Sequence, residues 1–516
     1  MSVMEVQRMQ SDIWIRCLRV LILLGSSHLQ SSYADRILPA DSRRLAGAGN
    51  LTTCLATAKA RTAFPGDPEY ERTRTYVFNH RYQYAPAAFV FPTTVAQVQN
   101  AVFCAVKLRI GIAPRGGGHS FEDYSLGGRD GAIVVDMTAF TDISYNKAAG
   151  TVTVGSGFRL APLKLALWNV GKVTVPCGTC PTIGVGGHAL GGGWGFKSRK
   201  FGILSDNIVE AQMVTANASV VTANAIENAD LLWALKGAGA NSFGIVTQFT
   251  FTVHDVSAPI THFSYDFPQS RQAETLKAFQ IWGQGAVAEV TASLYLDPSG
   301  GNSLSGDYLG PSTDLNAVLK TFMDKAPASS KQTIMETDFI TNVLIESGFS
   351  QDANPSVLNL QNYTYPTVTF KAKSILLHAP GLCDDGIKTF ISTLQAGSST
   401  IGYVLVDLFG GSASVINQIP PEDCAWVHRN TLFNIQMFTS WQNNNISQAH
   451  KDITSINKLW RAVRAYTSGS EAYQNYIDRD MPLSAYYGSN LERLITEKKK
   501  WDSQNVFHFP QSIPVR

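Results

Sequence analysis

Residues 177–195 read CGTCPTIGVGGHALGGGWG, and residues 115–120 read RGGGHS. Between positions 178 and 195, eight of eighteen residues are glycine, and the reading of this stretch decides the fold. Glycine adopts positive φ without strain and lets backbone N–H groups approach a ligand closely. Consecutive N–H groups in such turns form concavities that bind anions, a pyrophosphate among them. Glycine density by itself also suits a structural loop, so the spacing has to discriminate. Neither segment is G-x-x-x-x-G-K-S/T, which sets aside a P-loop. Neither is a G-x-G-x-x-G turn with an acidic residue some twenty positions on, so a Rossmann site is not supported. Cys177 and Cys180 stand in C-x-x-C spacing, open to a redox dithiol or half of a zinc site. No second pair lies at ligand spacing for zinc, and no metal is expected. A glycine-rich loop is not the compact βαβ setting of a thioredoxin-like dithiol.

Outward from these segments, helices and strands follow one another. At 95–108 the apolar residues Val95, Val98, Val102, Cys104, Ala105 and Leu108 recur at helical spacing, with Thr93 or Thr94 to cap the start and Gly111 after the end. Residues 132–136 and 151–154 read as strands, and 159–170 as a helix closed by Gly171. Segments 208–214 and 219–222 form a hairpin pair. Ile245, Thr247, Phe249, Phe251 and Val253 alternate with more polar neighbours, as in a half-buried strand. The character changes near 254–259. Strands, helices and polar loops then continue to about 467, and 489–500 is helical again. The lysine run at 498–500 reads as a solvated helix face.

The chain has 516 residues, 44% hydrophobic and 16% charged, with a net charge of +2. It can bury a large core, and its charge makes no broad case for nucleic acid or an anionic membrane. Arg16 and Arg19 border a short apolar stretch at 18–24, and small and polar residues follow through Tyr33 and Ala34. This pattern predicts a secretory signal peptide over 1–34, too short to persist as a membrane span. N-x-S/T sequons at Asn50, Asn217, Asn362 and Asn445 agree with a secreted protein. Seven cysteines, Cys17 in the leader among them, are too scattered for a disulfide scaffold.

The two glycine segments together resemble the berberine-bridge-enzyme-like FAD oxidases of the vanillyl-alcohol-oxidase superfamily, and within it the fungal oligosaccharide oxidases. The resemblance continues through ADLLWALKGAG at 229–239, FGIVT at 243–247, DLFGG at 407–411, YQNYID at 473–478, YYGSNL at 486–491 and FPQ at 509–511. It implies an α+β fold: a PCMH-type FAD-binding domain of two α/β subdomains over 50–255, and a substrate domain over 256–465 with an antiparallel sheet flanked by helices. It also implies a C-terminal segment, 466–516, that returns to the first domain. His119 matches the histidine bonded to the flavin 8α-methyl, and Cys180 the cysteine bonded to flavin C6, so the cofactor expected is bicovalent FAD. Arg115, Gly116, Gly117, Gly118 and Ser120 fall in the first cofactor segment. Gly184, Gly187, His188, Gly192 and Gly193 fall in the second, with His188 as a support for the loop, and Ile245 in a third. The glycines at 116–118 and 191–193 are expected to cradle phosphates. The resemblance pairs Cys54 with Cys104, leaves Cys177 as a competing partner for Cys180, and implies a monomer.

Oxidation of an alcohol requires hydride transfer to the flavin and removal of the hydroxyl proton by a base within hydrogen-bond reach. Tyr476 matches the family's tyrosine base, and Asp407 the carboxylate that helps it. On residues alone, Tyr473 and Tyr476, three apart, read as core aromatics; it is the resemblance that favours Tyr476 as base. Phe121 stands where sugar-oxidising relatives commonly have tyrosine, and Val404-Leu405-Val406 is apolar where a hydrogen-bonding residue is expected. A site that lacks such donors disfavours hydroxylated substrates. The expected substrate is therefore a small alcohol or a phenolic or polyketide-type secondary metabolite, with O2 as acceptor. The alternatives are a secreted oligosaccharide oxidase that makes lactones and peroxide, and a secreted flavin-binding protein without turnover.

Overall fold

The 95–108 periodicity becomes the helix Val95–Leu108 in the computed structural model, which describes residues 50–361, 368–442 and 445–516. The Thr94 side chain caps it by accepting the Gln97 N–H, and Arg109 in the left-handed region (φ 54°) ends it. Gly111 serves a different purpose: a Cβ there would lie 1.7 Å from the Arg129 guanidinium. Val98 and Val102 are fully buried on the inner face, each worth about 1.5–3 kcal/mol relative to exposure. The helix expected at 159–170 forms as Leu160–Gly171 and closes at Lys172 (φ 52°), not at Gly171.

Among the described residues, three large sheets organise the chain. The first has the strand order Arg61–Ala63, Ala88–Phe91, Ile133–Asp136, Ile112–Arg115. Its last three strands are parallel, and Arg115 pairs with Asp136 both in register and through a buried ion pair. The second is antiparallel: Ile143–Asn146, Thr151–Gly155, Gly244–Thr252, Ile208–Thr215, Val220–Asn224, the last two forming the expected hairpin. The third has seven antiparallel strands in the order Lys331–Thr337, Ile260–Phe267, Asn302–Tyr308, Val290–Leu296, Tyr403–Leu408, Thr431–Trp441, Thr369–His378. Gln272–Gly285, Asp384–Ala396 and Ile446–Arg464 supply helical residues to the core behind it. This mixture of helix and sheet matches the expected α+β class.

The C-terminal segment packs into the cores of the first two sheets: Val506 and Phe507 join the first and Ile513 the second. It also overturns the solvated reading of the lysine run. Lys498 is fully buried on the helix Leu491–Trp501, and its ammonium donates to Asp502 Oδ2 (2.7 Å) and to the carbonyls of Ser242 and Phe507 (both 2.6 Å). A buried ammonium requires this degree of pairing. Lys499 and Lys500 remain exposed. The leader at 1–34, Cys17 and the Asn362 sequon lie outside the described residues. Asn50, Asn217 and Asn445 are exposed. Cys54 and Cys104 form a disulfide, while Cys177, Cys180, Cys383 and Cys424 are free thiols.

Candidate active site

The two glycine segments meet backbone to backbone. A Cβ on Gly117 would lie 2.2 Å from the Gly184 nitrogen, and one on Gly184 would lie 2.3 Å from the Gly117 nitrogen. Only glycine permits this approach at either position. It brings His119, just beyond the strand Ile112–Arg115, next to Cys180. Thr182 touches both: its Oγ1 is 2.8 Å from His119 Nε2 and 3.7 Å from Cys180 Sγ. Nothing in the motif reading had singled out Thr182. Phe78 stacks on the His119 ring at 4.6 Å. Burial, with a lesser contribution from the Arg159 charge, pushes the His119 imidazole down to about 3, so the ring is neutral with a nucleophilic nitrogen. Burial also raises the Cys180 thiol, and the Thr182 hydroxyl and the N–H groups of Thr182 and Ile183 oppose that rise.

His188 is likewise neutral, pushed down to about 3 by burial, and its Nε2 accepts the Gly178 N–H at 2.9 Å. It thus ties the start of the 177–195 loop to its middle. A buried charge cluster holds the end of the loop against the third sheet. Lys197 Nζ donates to Asp307 (2.7 Å), Asn342 (2.6 Å) and Glu346, and Lys164 reaches Glu346 at 2.9 Å. Pairing of this quality is what offsets the desolvation of buried ions.

These segments line one cavity of about 420 Å³. Gly116, Gly117, Gly118, His119 and Ser120 line it from the first segment, and Cys180, Gly184, Gly187 and His188 from the second. Tyr476 closes another wall. The remaining expected residues do not line it. The Arg115 side chain is spent on Asp136 and the Tyr76 carbonyl. Ile245 points into the core of the first sheet, while its neighbours Gly244 and Val246 face the cavity. The expected phosphate cradle at 191–193 is also corrected. Gly192 and Gly193 lie off the cavity with positive φ, the Gly193 and Trp194 N–H groups donate to Tyr473 Oη (3.0 and 2.8 Å), and the Gly192 N–H donates to the Ala189 carbonyl at 3.4 Å.

The same bonds separate the two tyrosines. Both line the cavity, but the buried Tyr473 has its hydroxyl engaged in latching the glycine loop, whereas the Tyr476 ring is stacked on Phe121 at 5.4 Å and 2°. Asp407 lies one alternation beyond Tyr403 and Leu405 on the strand Tyr403–Leu408, beneath the residues that line the cavity. Burial pushes its carboxyl up to about 6, partly countered by donation from Ser293 Oγ (2.6 Å) and Asn434 Nδ2 (3.1 Å).

Leu405 and Phe121 line the cavity, as their apolar reading assumed, but Tyr403, Gln436 and Ser440 line it as well. The last two could have been found in the sequence: Asn434, Gln436, Phe438 and Ser440 alternate along one face of the strand Thr431–Trp441. Elsewhere on the wall, Asn241 has both side-chain polar atoms buried without a hydrogen-bond partner, as do Ser125 Oγ, Ser156 Oγ and Trp194 Nε1. Buried polar atoms are normally satisfied. Orphaned donors and acceptors beside glycine backbone fit a large polar cofactor such as FAD.

The family models for an FAD binding domain and for berberine and berberine-like proteins match residues 86–224 and 472–514. Over 475 residues the chain is 32% identical to the chitooligosaccharide oxidase of Gibberella zeae, across 90% of this chain and 94% of that protein. The chain belongs to the berberine-bridge-enzyme-like family. It is an FAD-linked oxidoreductase. Among solved structures of the family, Physcomitrella patens BBE-like 1 superposes with a TM-score of 0.87 at 56% identity, covering 90% of this chain and 99% of that one. The glucooligosaccharide oxidase of Acremonium strictum, described with 6-S-cysteinyl, 8α-N1-histidyl FAD, superposes with a TM-score of 0.81 at 28% identity, covering 90% and 99%. Among the described residues no helix is long and apolar enough to cross a membrane.

Proposed function

We propose that this chain is an oligosaccharide oxidase that converts a reducing-end sugar to a lactone, with FAD attached through His119 and Cys180 and O2 as the electron acceptor. FAD when bound supplies the hydride acceptor and passes the electrons to O2 as peroxide. The observation that carries the reading is that one cavity is lined by Tyr476 together with the sheet residues Tyr403, Gln436 and Ser440. Aromatic faces pack on the C–H surfaces of a sugar, and the amide and hydroxyl bind its oxygens. The relatives named for chito-, xylo- and glucooligosaccharides support the same substrate class. This replaces the secondary-metabolite expectation, which rested on Phe121 and Val404-Leu405-Val406 and gave no weight to the polar face of the neighbouring strand.

Each side chain has a task. Tyr476 Oη accepts the proton of the substrate hydroxyl whose carbon is oxidised. Asp407, held by Ser293 and Asn434, is the carboxylate that takes up the phenol proton when ionised. Phe121 keeps the Tyr476 ring flat against the wall. The exposed sequons and the disulfide support a secreted enzyme. Peroxide release from cellobiose, chitobiose and xylobiose, compared with aromatic alcohols and phenols, tests the reading. Turnover of a disaccharide is the expected outcome. Turnover confined to phenols would return the site to secondary-metabolite chemistry, and no peroxide from any donor would leave a flavin carrier.

A further inference from the structure

The strand Thr369–His378 lies at an edge of the seven-stranded sheet, where lysine ordinarily points to water. Here Lys371 and Lys373, on one face two residues apart, have side chains only 0% and 4% exposed. Each ammonium pairs with a different oxygen of Asp478. Lys371 also lies 3.3 Å from Glu122 and 3.2 Å from Asp480, and Lys373 lies 3.5 Å from Asp480. Arg81 faces Glu122 at 3.9 Å, so three cations meet three carboxylates. The carboxylates come from segments far apart in the chain. Asp478 follows Tyr476 by two residues, and Glu122 adjoins Phe121, on which the Tyr476 ring is stacked. Both flanks of that ring are thereby tied to one rigid strand. Asp478 is fixed through its backbone as well: its N–H donates to Tyr486 Oη (2.8 Å), and its carbonyl accepts from Gln511 Nε2 (2.9 Å). These backbone bonds already anchor the C-terminal segment, which leaves the paired ammonium groups to set where the segment lies against the sheet.

We propose that Lys371 and Lys373, acting through Asp478 and Glu122, are positioning residues that hold Tyr476 at its place on the cavity wall. The inference rests on the reading of Tyr476 as the base. A displacement of a reacting group by ~1 Å can cost about a hundredfold in rate, so a cluster that fixes the ring acts on kcat more than on substrate affinity.

Lys373 is the residue to change, because Asp478 keeps Lys371 when it is removed and Asp480 can turn to water. In Lys373→Met the rate of flavin reduction by the disaccharide that turns over should fall at least about tenfold. KM should stay near its original value, covalent flavin should be retained, and Lys373→Arg should restore the rate. In a Tyr476→Phe background the same change should cost almost nothing more. An equal loss in both backgrounds, or an unchanged rate, would overturn the proposal. If Lys373→Met yields no folded enzyme, Glu122→Gln decides in its place, since it removes the Lys371 pairing beside Phe121 and a normal rate there would also overturn the proposal. A readout without substrate separates this inference from the proposed function. The crystal structure of Lys373→Met should show the Tyr476 ring off its Phe121 stack, and an intact stack would sink the positioning role whatever the substrate proves to be. Full activity of Tyr476→Phe by itself would instead remove the base assignment.

Discussion

A phenol is a weak base at neutral pH, with an ordinary pKa near ~10, so Tyr476 depends on what surrounds it. Tyr476→Phe should lower the rate of flavin reduction about a hundredfold or more with the cavity otherwise intact, as stopped-flow absorbance would record. A normal rate would take the proton-acceptor role away from it. Asp407 adds a pH dependence. Burial raises its carboxyl to about 6, so it is ionised above that pH and neutral below it. The help proposed for Tyr476 should therefore be present at neutral pH and lost as the pH falls through about 6. A plot of log kcat against pH should bend there, and Asp407→Asn should abolish the bend along with most of the rate. A bend that survives the substitution belongs to another group. At the attachment site, Cys180→Ala should leave FAD on the His119 peptide alone, visible by mass after acid denaturation and digestion. Loss of all covalent flavin would contradict two independent bonds.

At the scale of elements, the site depends on loops that only certain residues allow to close. Gly184→Ala places a Cβ against the Gly117 nitrogen, backbone that cannot swing aside. Overpacking of this kind costs about 1–3 kcal/mol, and here it also parts His119 from Cys180. The variant should purify with little covalent flavin, and full flavin loading would show that the two segments can separate without consequence. The helix Leu491–Trp501 holds a comparable dependence in Lys498. Lys498→Met leaves Asp502 buried with only the Val506 and Phe507 N–H groups as partners. Breaking a buried pair from one side costs about 3–5 kcal/mol. Urea denaturation should show a loss in that range, whereas a solvated lysine would show almost none.

At the scale of the whole molecule, three sheets and a returning C-terminal segment bring together positions as far apart as His119, Cys180, Gln436 and Tyr476. The Cys54–Cys104 disulfide closes a loop of 50 residues in the first sheet's core, away from the cavity. Chain entropy assigns a loop of that length about 4 kcal/mol. The double Cys→Ser variant should melt earlier yet keep its flavin and its turnover, and a loss of flavin without a change in melting would contradict this separation. Much of the protein was legible without coordinates. The helix Val95–Leu108, the hairpin and the alternating strand Gly244–Thr252 follow from local periodicity, because a single amphipathic face is visible in a short window. The glycine segments were legible as motifs, because close backbone approach admits only glycine, and His119, Cys180 and Tyr476, picked out with them, line one cavity. Tertiary structure alone decided the rest. It divided Tyr473 from Tyr476, set Gly192 and Gly193 to holding a tyrosine, and buried Lys498, Lys371 and Lys373 against carboxylates. It also turned Gln436 and Ser440 toward the cavity. In each case the deciding partner lies far away in the chain, and the cost of burying a charge or a polar group depends on that partner and on nothing local.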